Sequence, residues 1–481
     1  MEKESIKIKS GIEIHQQLDT NKLFCSCPSI LKQETPDIII KRKMKAVAGE
    51  TGQIDEAASF EQTRETEFIY QGYKDNTCLV EFDEEPPHEI NKEALVTALQ
   101  LALFLNCRIF PVAQVMRKTI INGSCVSGFQ RTMLLAEDGF LEIDIDKKKK
   151  KIGIQSITLE EDAAREIERK QNSVTFRLDR LGIPLIELVT KPDISSPEEA
   201  KATALKLGEI LRACKVKRGI GTIRQDVNIS TIGHPRVEVK GVQEPDLIVK
   251  VMEYEAKRQQ QEKNKKPKSE VRRANPDGTT TFLRPLAGSA RMYPETDIPL
   301  VYTSEYIKEA RRTLPKLQEQ IKLELQERGM NPELIKLILQ EKKLQEFEAL
   351  IKLVNKPNLV AKLLVLWPKE ISSHGNISQE DIDKKITLDI LEILLEKISK
   401  NEIEESQAKN VLFKIVQGQN IDNALKLQAS NLGEIENYVK EITKIKQGLS
   451  INAYMGLVMQ KFKGKSNPKD VSDILKRYVK Q

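Results

Sequence analysis

The sequence lacks the features that would place the chain in a membrane or in a disulfide-rich secreted fold. Its 481 residues include six cysteines, and no two have the C-x-x-C spacing, so neither a disulfide framework nor a zinc ribbon is indicated. No apolar run approaches the roughly 18 residues of a membrane span. The charged start Met1–Glu4 leads into no apolar stretch typical of a signal peptide. We therefore expect a cytoplasmic protein with reduced thiols and no membrane partner.

Standard nucleotide-binding and amidase signatures are missing too. The sequence has no G-x-x-x-x-G-K-[ST], and Gly219 and Gly221 are followed by Arg224 where a G-x-G-x-x-G motif needs its third glycine. No Cys–His or Ser–Lys pair has a recognisable amidase spacing. Cys25 and Cys27 form a lone C-x-C, a poor metal signature, and we expect inert thiols there. If the chain binds ATP, it uses another arrangement of residues.

The net charge of +6 is too small to indicate a nucleic-acid partner by itself, but the charge is unevenly placed. The stretch from Glu255 to Arg284 has nine basic and four acidic residues, and Gln460 to Gln481 has seven basic and two acidic. Each segment is either a solvated, flexible surface or a contact for a phosphate backbone.

Hydrophobic periodicity changes near residue 300. Before it, short segments alternate apolar and polar residues, which predicts half-buried strands. These segments are Gly11–His15, Leu141–Asp146, Arg224–Ser230 and Arg236–Lys240. Two helices are predicted among them, over Lys92–Asn106 and Pro197–Cys214. After about Val301, Leu, Ile, Lys and Glu recur at helical spacing. The fold class is therefore α+β, with a mixed or antiparallel sheet followed by helices.

The change in hydrophobic periodicity, together with the separate helices near the C-terminus, predicts three domains. Residues 1–302 form the sheet domain, in which Glu255–Arg284 is predicted to be an exposed basic loop because it shows neither period. Residues 303–417 form a helical domain. Residues 418–481 form a small helical tail, whose last helix starts at Asn467 and Pro468.

Several polar residues are predicted to share one face of the sheet. Side chains two apart on a strand point the same way, so Glu13 and His15 lie together while Ile12 and Ile14 pack behind them. The same spacing pairs Asp226 with Asn228, and Glu238 with Lys240. One imidazole with several carboxylates could hold Mg²⁺ or Mn²⁺, with phosphate oxygens completing the shell. A solvated strand face explains Glu13 and His15 equally well.

Two further acidic sites stand in apolar surroundings. Glu187 is the one charged residue of an apolar strand, and Glu160 to Asp162 follow Ile157-Thr158-Leu159. Burying a lone carboxylate costs several kcal/mol unless it is paired or neutralised. Glu187 therefore needs a partner. A divalent metal is one candidate, and an ion pair with a nearby basic residue is the other. The candidate partners for such an ion pair are Arg177, Arg180 and Lys191.

Several longer sequence motifs together indicate a family. The chain resembles the B/E family of tRNA-dependent amidotransferase subunits through four stretches spread along its length. They are Gly11–Thr20, Leu159–Ala164, Leu181–Glu187 and the C-terminal Val458-Met459 with Lys463–Pro468. Other strings resemble the archaeal E-type members that act on glutamyl-tRNA(Gln) rather than the bacterial B-type ones. These are Phe82–His88, Val115–Lys118 with the Gly123–Thr132 loop, and Arg291–Asp297.

The resemblance implies a ligase that forms a carbon–nitrogen bond with glutamine as amide donor. ATP would phosphorylate the γ-carboxylate of glutamate on tRNA(Gln), and ammonia would displace the phosphate. The ammonia would come from a separate asparaginase-like D subunit, in a heterodimer or a dimer of heterodimers. The implied fold is a cradle-like catalytic domain, a helical domain and a helical, YqeY-like tail that binds tRNA.

Carried over by position, the family's Mg²⁺ ligands fall on His15, Glu160 and Glu187. Glu13 joins them as a catalytic residue. The residues implied for cofactor binding, with ATP as the cofactor, are Asp226, Glu238 and Lys240. Whether Glu160 or its neighbour Glu161 is the ligand depends on the alignment.

The chain departs from the family in one respect. Relatives carry a domain similar to an insertion in bacterial aspartyl-tRNA synthetase before the Arg291 motif, where this chain has only its basic stretch. Two alternatives remain open. One is a B-type subunit or an enzyme for aspartyl-tRNA(Asn), and the other is a non-catalytic tRNA-binding scaffold.

Overall fold

The structure of the chain, a computed structural model, describes ten segments. They are residues 6–45, 66–146, 148–262, 267–286, 292–375, 377–400, 402–425, 432–446, 448–462 and 468–479. The chain divides into two compact units, Met1–Leu317 and Gln318–Gln481. No helix among the described residues is both long and apolar enough to cross a membrane.

Strands occur among the described residues of the first unit. In chain order they are β1 Ile8–Gln17, β2 Ile38–Arg42, β3 Glu67–Gly72, β4 Arg108–Ile109, β5 Val112–Ala113, β6 Val115–Thr119, β7 Phe129–Ile145, β8 Lys148–Glu161, β9 Arg165–Arg169, β10 Ser173–Arg177, β11 Pro184–Thr190, β12 Ile223–Thr231, β13 Val237–Lys240, β14 Glu270–Ala274, β15 Thr280–Pro285, β16 Met292–Pro294 and β17 Val301–Tyr302.

Most of these strands form one large sheet, in the order β15-β14-β13-β12-β1-β11-β8-β7-β6-β16, with β4 also paired to β7. Its pairs are antiparallel except β13 with β14. A second sheet has the order β2-β3-β10-β9, and β17 pairs with β5. The predicted α+β class with a mixed sheet is therefore confirmed. β1 lies inside the large sheet, which places its side chains between those of β11 and β12.

Among the described residues, four helices accompany the large sheet: α1 Lys92–Phe104, α2 Pro197–Ala213, α3 Pro245–Glu262 and α4 Ser304–Arg312. Asn91 and Ser196 cap the first two, because their side-chain oxygens accept the backbone N–H groups of Ala94 and Glu199. The core lies between these helices and the apolar face of the sheet. Its members include Ile12 and Ile14 of β1, Leu95 and Leu99 of α1, Leu207 of α2 and Val251 of α3. The opposite face of β1 is left to polar side chains.

Helix α4 extends the first unit beyond the expected boundary at residue 302. Tyr306, Ile307 and Ala310 pack on the core of the sheet, and the Gln100 side chain donates a hydrogen bond of 2.9 Å to the Thr313 carbonyl. The change in periodicity near residue 301 therefore marks the last strand, and the boundary between the compact units lies further along, at Leu317.

The basic segment Glu255–Arg284 is not the exposed loop that was predicted. Its first part completes α3, and its later part forms β14 and β15 at one end of the large sheet. Helix formation follows from a stripe that includes polar residues: Ile248, Val251, Met252, Glu255, Ala256 and Gln259 are all buried at helical spacing. Because Glu255 and Gln259 belong to the buried stripe, the apolar residues alone do not show its helical spacing. Residues 263–266 of this segment lie outside the described residues.

The regular secondary structure of the described residues of the second unit is entirely helical. The helices are α5 Gln318–Glu327, α6 Pro332–Gln340, α7 Leu344–Leu350, α8 Pro357–Ala361, α9 Trp367–Gly375, α10 Gln379–Lys385, α11 Leu388–Ser399, α12 Glu405–Val416, α13 Ile421–Leu425, α14 Leu432–Ile445, α15 Ile451–Lys461 and α16 Pro468–Tyr478, with a π-helical turn over Lys362–Leu366 between α8 and α9.

Two separate cores lie within this unit. Helices α5 to α13 share one of them, and Ala424 of α13 is fully buried in it. The other core belongs to α14, α15 and α16, through residues such as Val439, Val458 and Leu475. The tail therefore has its own core, and that core begins after α13 rather than at residue 418. The predicted cap Asn467 and the Lys463–Ser466 part of the C-terminal motif lie outside the described residues.

Candidate active site

Strand pairing brings the predicted site residues together on one face of the large sheet. On β1, Glu13 lies opposite Asp226 of β12, and His15 lies opposite Glu187 of β11. Residues directly opposite in an antiparallel pair share a face. The intervening Ile12 and Ile14 are fully buried on the other side. A slip of β1 by one residue would turn Glu13 and His15 into the core.

His15 is the centre of this cluster. Its Nε2 lies 3.6 Å from Glu13 Oε1, 3.6 Å from Glu187 Oε1 and 3.9 Å from Glu160 Oε1. The four side chains come from three strands that are neighbours in the sheet, β1, β11 and β8. Three carboxylates therefore converge on one imidazole, an arrangement that strand spacing alone could not show.

The two neighbouring glutamates of β8 lie in different surroundings. Glu160 Oε2 accepts a hydrogen bond of 2.6 Å from the Thr132 hydroxyl, which aims this carboxylate at the His15 cluster. Glu161 instead lies 3.5 Å from the Arg131 guanidinium and accepts the backbone N–H of that residue. The geometry thus joins Glu160, and not Glu161, to His15.

The residues predicted for cofactor binding form an adjoining ion cluster. Lys240 Nζ lies 2.8 Å from Asp226 Oδ2 and 2.6 Å from Glu238 Oε1. Gly241 N–H donates to the other oxygen of Asp226 at 3.0 Å. The ammonium group of Lys240 therefore forms ion pairs with both carboxylates. Because Glu13 lies opposite Asp226 in the sheet, this cluster adjoins the one around His15.

Burial and charge shift the pKa values of the central groups in different directions. Burial, reinforced by the charge of Glu187, raises the pKa of Glu13 to about 8 and that of Glu160 to about 7. Burial lowers the pKa of His15, so its imidazole is neutral near pH 7. Burial acts to raise the pKa of Glu187 as well, but the charge of Lys118 contributes to holding it below its ordinary value. Glu187 is thus the carboxylate that stays ionised.

Some side chains of the site were not predicted to belong to it. Lys118 Nζ of β6 lies 3.8 Å from Glu160 Oε2, and the Thr158 hydroxyl donates to Glu187 at 3.1 Å. They become neighbours of the cluster only through strand pairing, which periodicity within one strand cannot reveal. The three basic residues weighed as ion-pair partners of Glu187 contact other groups: Arg177 binds Gln71, Arg180 binds Ala163 and Lys191 binds Asp138.

The donor set fits a hard divalent cation. Glu13, His15 and Glu187 each present a ligand atom within 4.8 Å of the others, and carboxylate oxygens are the ligands that Mg²⁺ and Mn²⁺ prefer. Burial is the main cause of the raised pKa of Glu13, and repulsion from the neighbouring carboxylate of Glu187 adds to it. A bound cation would relieve it.

Comparison with known proteins places this face inside a recognised domain. Residues 8–309 match the family model described as the GatB/GatE catalytic domain, and residues 345–479 match one described as the GatB domain. The first match contains every residue of the candidate site.

Full-length relatives are also found. Proteins named as the E subunit of glutamyl-tRNA(Gln) amidotransferase are similar to this chain in Methanocaldococcus jannaschii (35% identity, 99% of both chains), Archaeoglobus fulgidus (32%, 100% of this chain and 99% of the relative) and Pyrobaculum neutrophilum (31%, 98% of both). The first alignment runs to 639 positions while this chain has 481 residues, so at least 158 positions have no residue of this chain. The chain thus lacks a domain-sized portion of that relative.

Proposed function

The chain belongs to the GatB/GatE family, where it is a GatE-like member, and from that premise we propose that it catalyses ATP-dependent amidation of glutamyl-tRNA(Gln). In this proposal ATP phosphorylates the γ-carboxylate of the tRNA-bound glutamate. Ammonia then attacks the acyl phosphate, phosphate leaves, and glutaminyl-tRNA(Gln) results. The observation that carries the proposal is the convergence of Glu13, Glu160 and Glu187 on His15, on one sheet face inside the matched catalytic domain.

His15, Glu160 and Glu187 are the proposed ligands of Mg²⁺, and Glu13 lies within reach of the same ion. When bound, the ion would offset negative charge on the transferring phosphoryl group. The chain's own residues support that role. Neutral His15 keeps a nitrogen lone pair for coordination, and the Thr132 hydroxyl fixes the carboxylate of Glu160.

The basic groups on this face suit the phosphate side of ATP. Lys118 lies beside Glu160, and Lys240 is positioned by Asp226 and Glu238. Burial disfavours the charged form of Lys240, but the two carboxylates raise its pKa above the ordinary value, so the ammonium keeps its charge. We propose that these groups orient the nucleotide phosphates, with Asp226 and Glu238 acting through Lys240.

The relatives are named as one subunit of an amidotransferase, which supports a companion subunit for this chain. We propose an asparaginase-like D subunit that supplies ammonia, in a heterodimer or a dimer of heterodimers, with glutamate-charged tRNA(Gln) as the substrate.

An assay with ammonium chloride tests whether this chain amidates the tRNA while a separate subunit supplies the ammonia. With ATP, Mg²⁺ and ammonium chloride, the chain without any partner is expected to convert glutamyl-tRNA(Gln) to glutaminyl-tRNA(Gln), and glutamine is expected not to replace ammonium. Aspartyl-tRNA(Asn) serves as the competing substrate. Amidation of that substrate alone, or glutamine hydrolysis by the isolated chain, would contradict the proposal.

A further inference from the structure

A buried carboxylate that the proposed chemistry leaves unused lies at the edge of the candidate active site. Asp162 directly follows β8, two residues after Glu160, and it is only 1% exposed. Its Oδ2 accepts a hydrogen bond of 2.6 Å from the Gln17 side chain, and its Oδ1 accepts one of 2.9 Å from the Arg224 guanidinium. A carboxylate this deeply buried needs such partners. Asp162 therefore fixes the place of that guanidinium.

Arg224 lies on the same face of the sheet as the candidate site. On β12 it is directly opposite His15 of β1, and it stands two residues before Asp226, which shares that face. Its guanidinium meets Asp162 beside Gln17, two residues along β1 from His15, so the side chain reaches over β1 on this face. Burial is the main cause of the lowered pKa of His15, and the charge of Arg224 contributes to it. The guanidinium is thus a neighbour of the central imidazole.

Most of the donors of this guanidinium are available to a ligand. A guanidinium has five N–H donors. Among the described residues, Asp162 is the one ion-pair and hydrogen-bond partner of the Arg224 side chain, which is 35% exposed. Arg180, the other arginine beside Asp162, differs, because its Nε and Nη2 donate to the carbonyls of Ala163 and Ala164 at 2.7 and 2.9 Å. Arg180 therefore holds the backbone, whereas Arg224 presents donors to the site.

We propose that Arg224 is a catalytic residue that contacts the γ-phosphoryl group of ATP during its transfer, with Asp162 and Gln17 as positioning residues. This inference rests on the proposed function. In that step an oxygen of the glutamate γ-carboxylate forms a bond to the γ-phosphorus. The bond from phosphorus to the β,γ-bridging oxygen breaks, and its electron pair leaves with ADP. A planar guanidinium can bind two oxygens of the transferring group at once, which an ammonium group cannot.

The lysines of this face are less suited to that contact. Lys240 is held by two carboxylates, at 2.8 and 2.6 Å, and Lys118 lies 3.8 Å from Glu160. Arg224 has a single carboxylate partner and the geometry of a fork. The lysines therefore suit the orientation of the phosphates in the ground state, and Arg224 suits the charge that develops in the transition state.

Transfer of labelled γ-phosphate from ATP to glutamyl-tRNA(Gln), without an ammonia source, tests this role. Arg224→Gln is expected to lower the rate at saturating substrates roughly 1000-fold while the half-saturating ATP concentration stays within about threefold. Arg224→Lys keeps the charge without the fork and is expected to recover only part of the loss. Asp162→Asn is expected to lower the same rate about tenfold. Arg218→Gln, at an exposed position of the preceding loop, is the matched control and is expected to keep the wild-type rate.

Binding of ADP in the presence of Mg²⁺, measured by calorimetry with and without aluminium fluoride, gives a readout that needs no turnover. The fluoride complex mimics the transferring phosphoryl group, and mimics of a transition state bind more tightly than substrates. Wild type is therefore expected to bind ADP more tightly when fluoride is present. Arg224→Gln is expected to bind ADP alone within about twofold of wild type and to lose most of that gain. An equal effect of fluoride in both chains would overturn the inference.

The rates separate this inference from the proposed function. Wild-type rates in Arg224→Gln, or a raised half-saturating ATP concentration with an unchanged rate at saturation, would overturn the inference and leave the proposed function standing. A wild-type chain that transfers no phosphate would contradict the proposed function and the inference with it. If Arg224→Gln unfolds at the assay temperature, Arg224→Lys decides, because a full wild-type rate in that variant would show that the fork is not used.

Discussion

At the scale of single residues, the candidate site is a place where carboxylates are held close together before any cation arrives. Glu13 and Glu160 have raised pKa values because they are buried beside Glu187, whose own pKa stays low. A raised carboxylate pKa means that the folded chain binds more protons than the unfolded chain above about pH 4.5, so stability of the metal-free protein falls as pH rises towards about 8. Burial and the charge of Glu187 both favour the protonated forms of Glu13 and Glu160, and a bound cation would favour their ionised forms.

Magnesium binding is therefore predicted to be linked to proton release. With pKa values of about 8 for Glu13 and about 7 for Glu160, on the order of one proton is expected to leave at pH 7 when the ion binds. Affinity is expected to rise between pH 6 and pH 8 and then level off. Calorimetric titration in buffers of different ionisation enthalpy measures this release.

Glu13→Gln is expected to reduce that proton release, and Glu142→Gln, at an exposed position of β7, serves as its matched control. Binding that releases no proton and is independent of pH would contradict the assigned ionisation states.

Part of this site could be predicted from the sequence for a physical reason. The two-residue period of a strand places Glu13 and His15 on one face, and the cost of burying a lone carboxylate marks Glu187. The family resemblance added Glu160 but left its neighbour Glu161 open, and the folded chain separates them, because Glu160 lies near His15 while Glu161 contacts Arg131. The Sγ atoms of Cys25, Cys27 and Cys78 and a carboxylate oxygen of Glu81 lie within 4.8 Å of one another, and this proximity could not be predicted because the two segments meet only in the folded chain.

At the scale of elements, the end of the large sheet has a buried ion network in addition to its apolar packing. Glu255 of α3 is fully buried and lies 2.9 Å from Arg258 and 3.3 Å from Arg272 of β14, and it also accepts the Thr280 hydroxyl of β15. This network explains why the basic segment is ordered. Arg258 and Arg272, two basic residues of the segment predicted to be an exposed loop, form ion pairs with Glu255.

Replacing Glu255 by Ala is predicted to destabilise this end of the sheet by about 1–3 kcal/mol, because the half-buried Arg258 and Arg272 lose one carboxylate partner and keep Glu270. Hydrogen exchange of the full-length chain is expected to become faster in Glu270–Ala274 and Thr280–Pro285. Glu253→Ala, on the exposed face of the same helix, is the control and is expected to leave exchange unchanged. Equal exchange in both variants would show that the network contributes little.

At the scale of the whole molecule, the C-terminal tail is the proposed tRNA-binding element. Residues 460–481 carry a net charge of +5, and the described helices of the tail have a core of their own. A relative also has at least 158 positions with no counterpart in this chain. We expect the tail to matter more here than in relatives of full length.

Ending the chain after Leu425, where the core of helices α5 to α13 is complete, is predicted to raise the KM for glutamyl-tRNA(Gln) and to flatten its dependence on salt. Phosphoryl-transfer chemistry in the sheet domain is expected to survive. The double change Lys476→Gln and Arg477→Gln, at exposed positions of α16, is expected to reduce the salt slope by about two.

Exposed Lys384 and Lys400, changed to Gln together, provide the matched control for that charge loss. A folded truncation with unchanged tRNA affinity and salt slope would show that the tail's charge is only solvated surface.

The central claim is that Glu187, Glu160 and His15 form the site of phosphoryl transfer to the tRNA-bound glutamate. Transfer of labelled γ-phosphate from ATP to glutamyl-tRNA(Gln), measured with no ammonia source present, tests it most directly. Wild type and Glu142→Gln are expected to form the labelled acyl phosphate, whereas Glu187→Gln, Glu160→Gln and His15→Ala are expected to lose at least 100-fold of the rate, about 2.7 kcal/mol of transition-state stabilisation, while still binding tRNA. Full transfer by all three site variants would contradict the account.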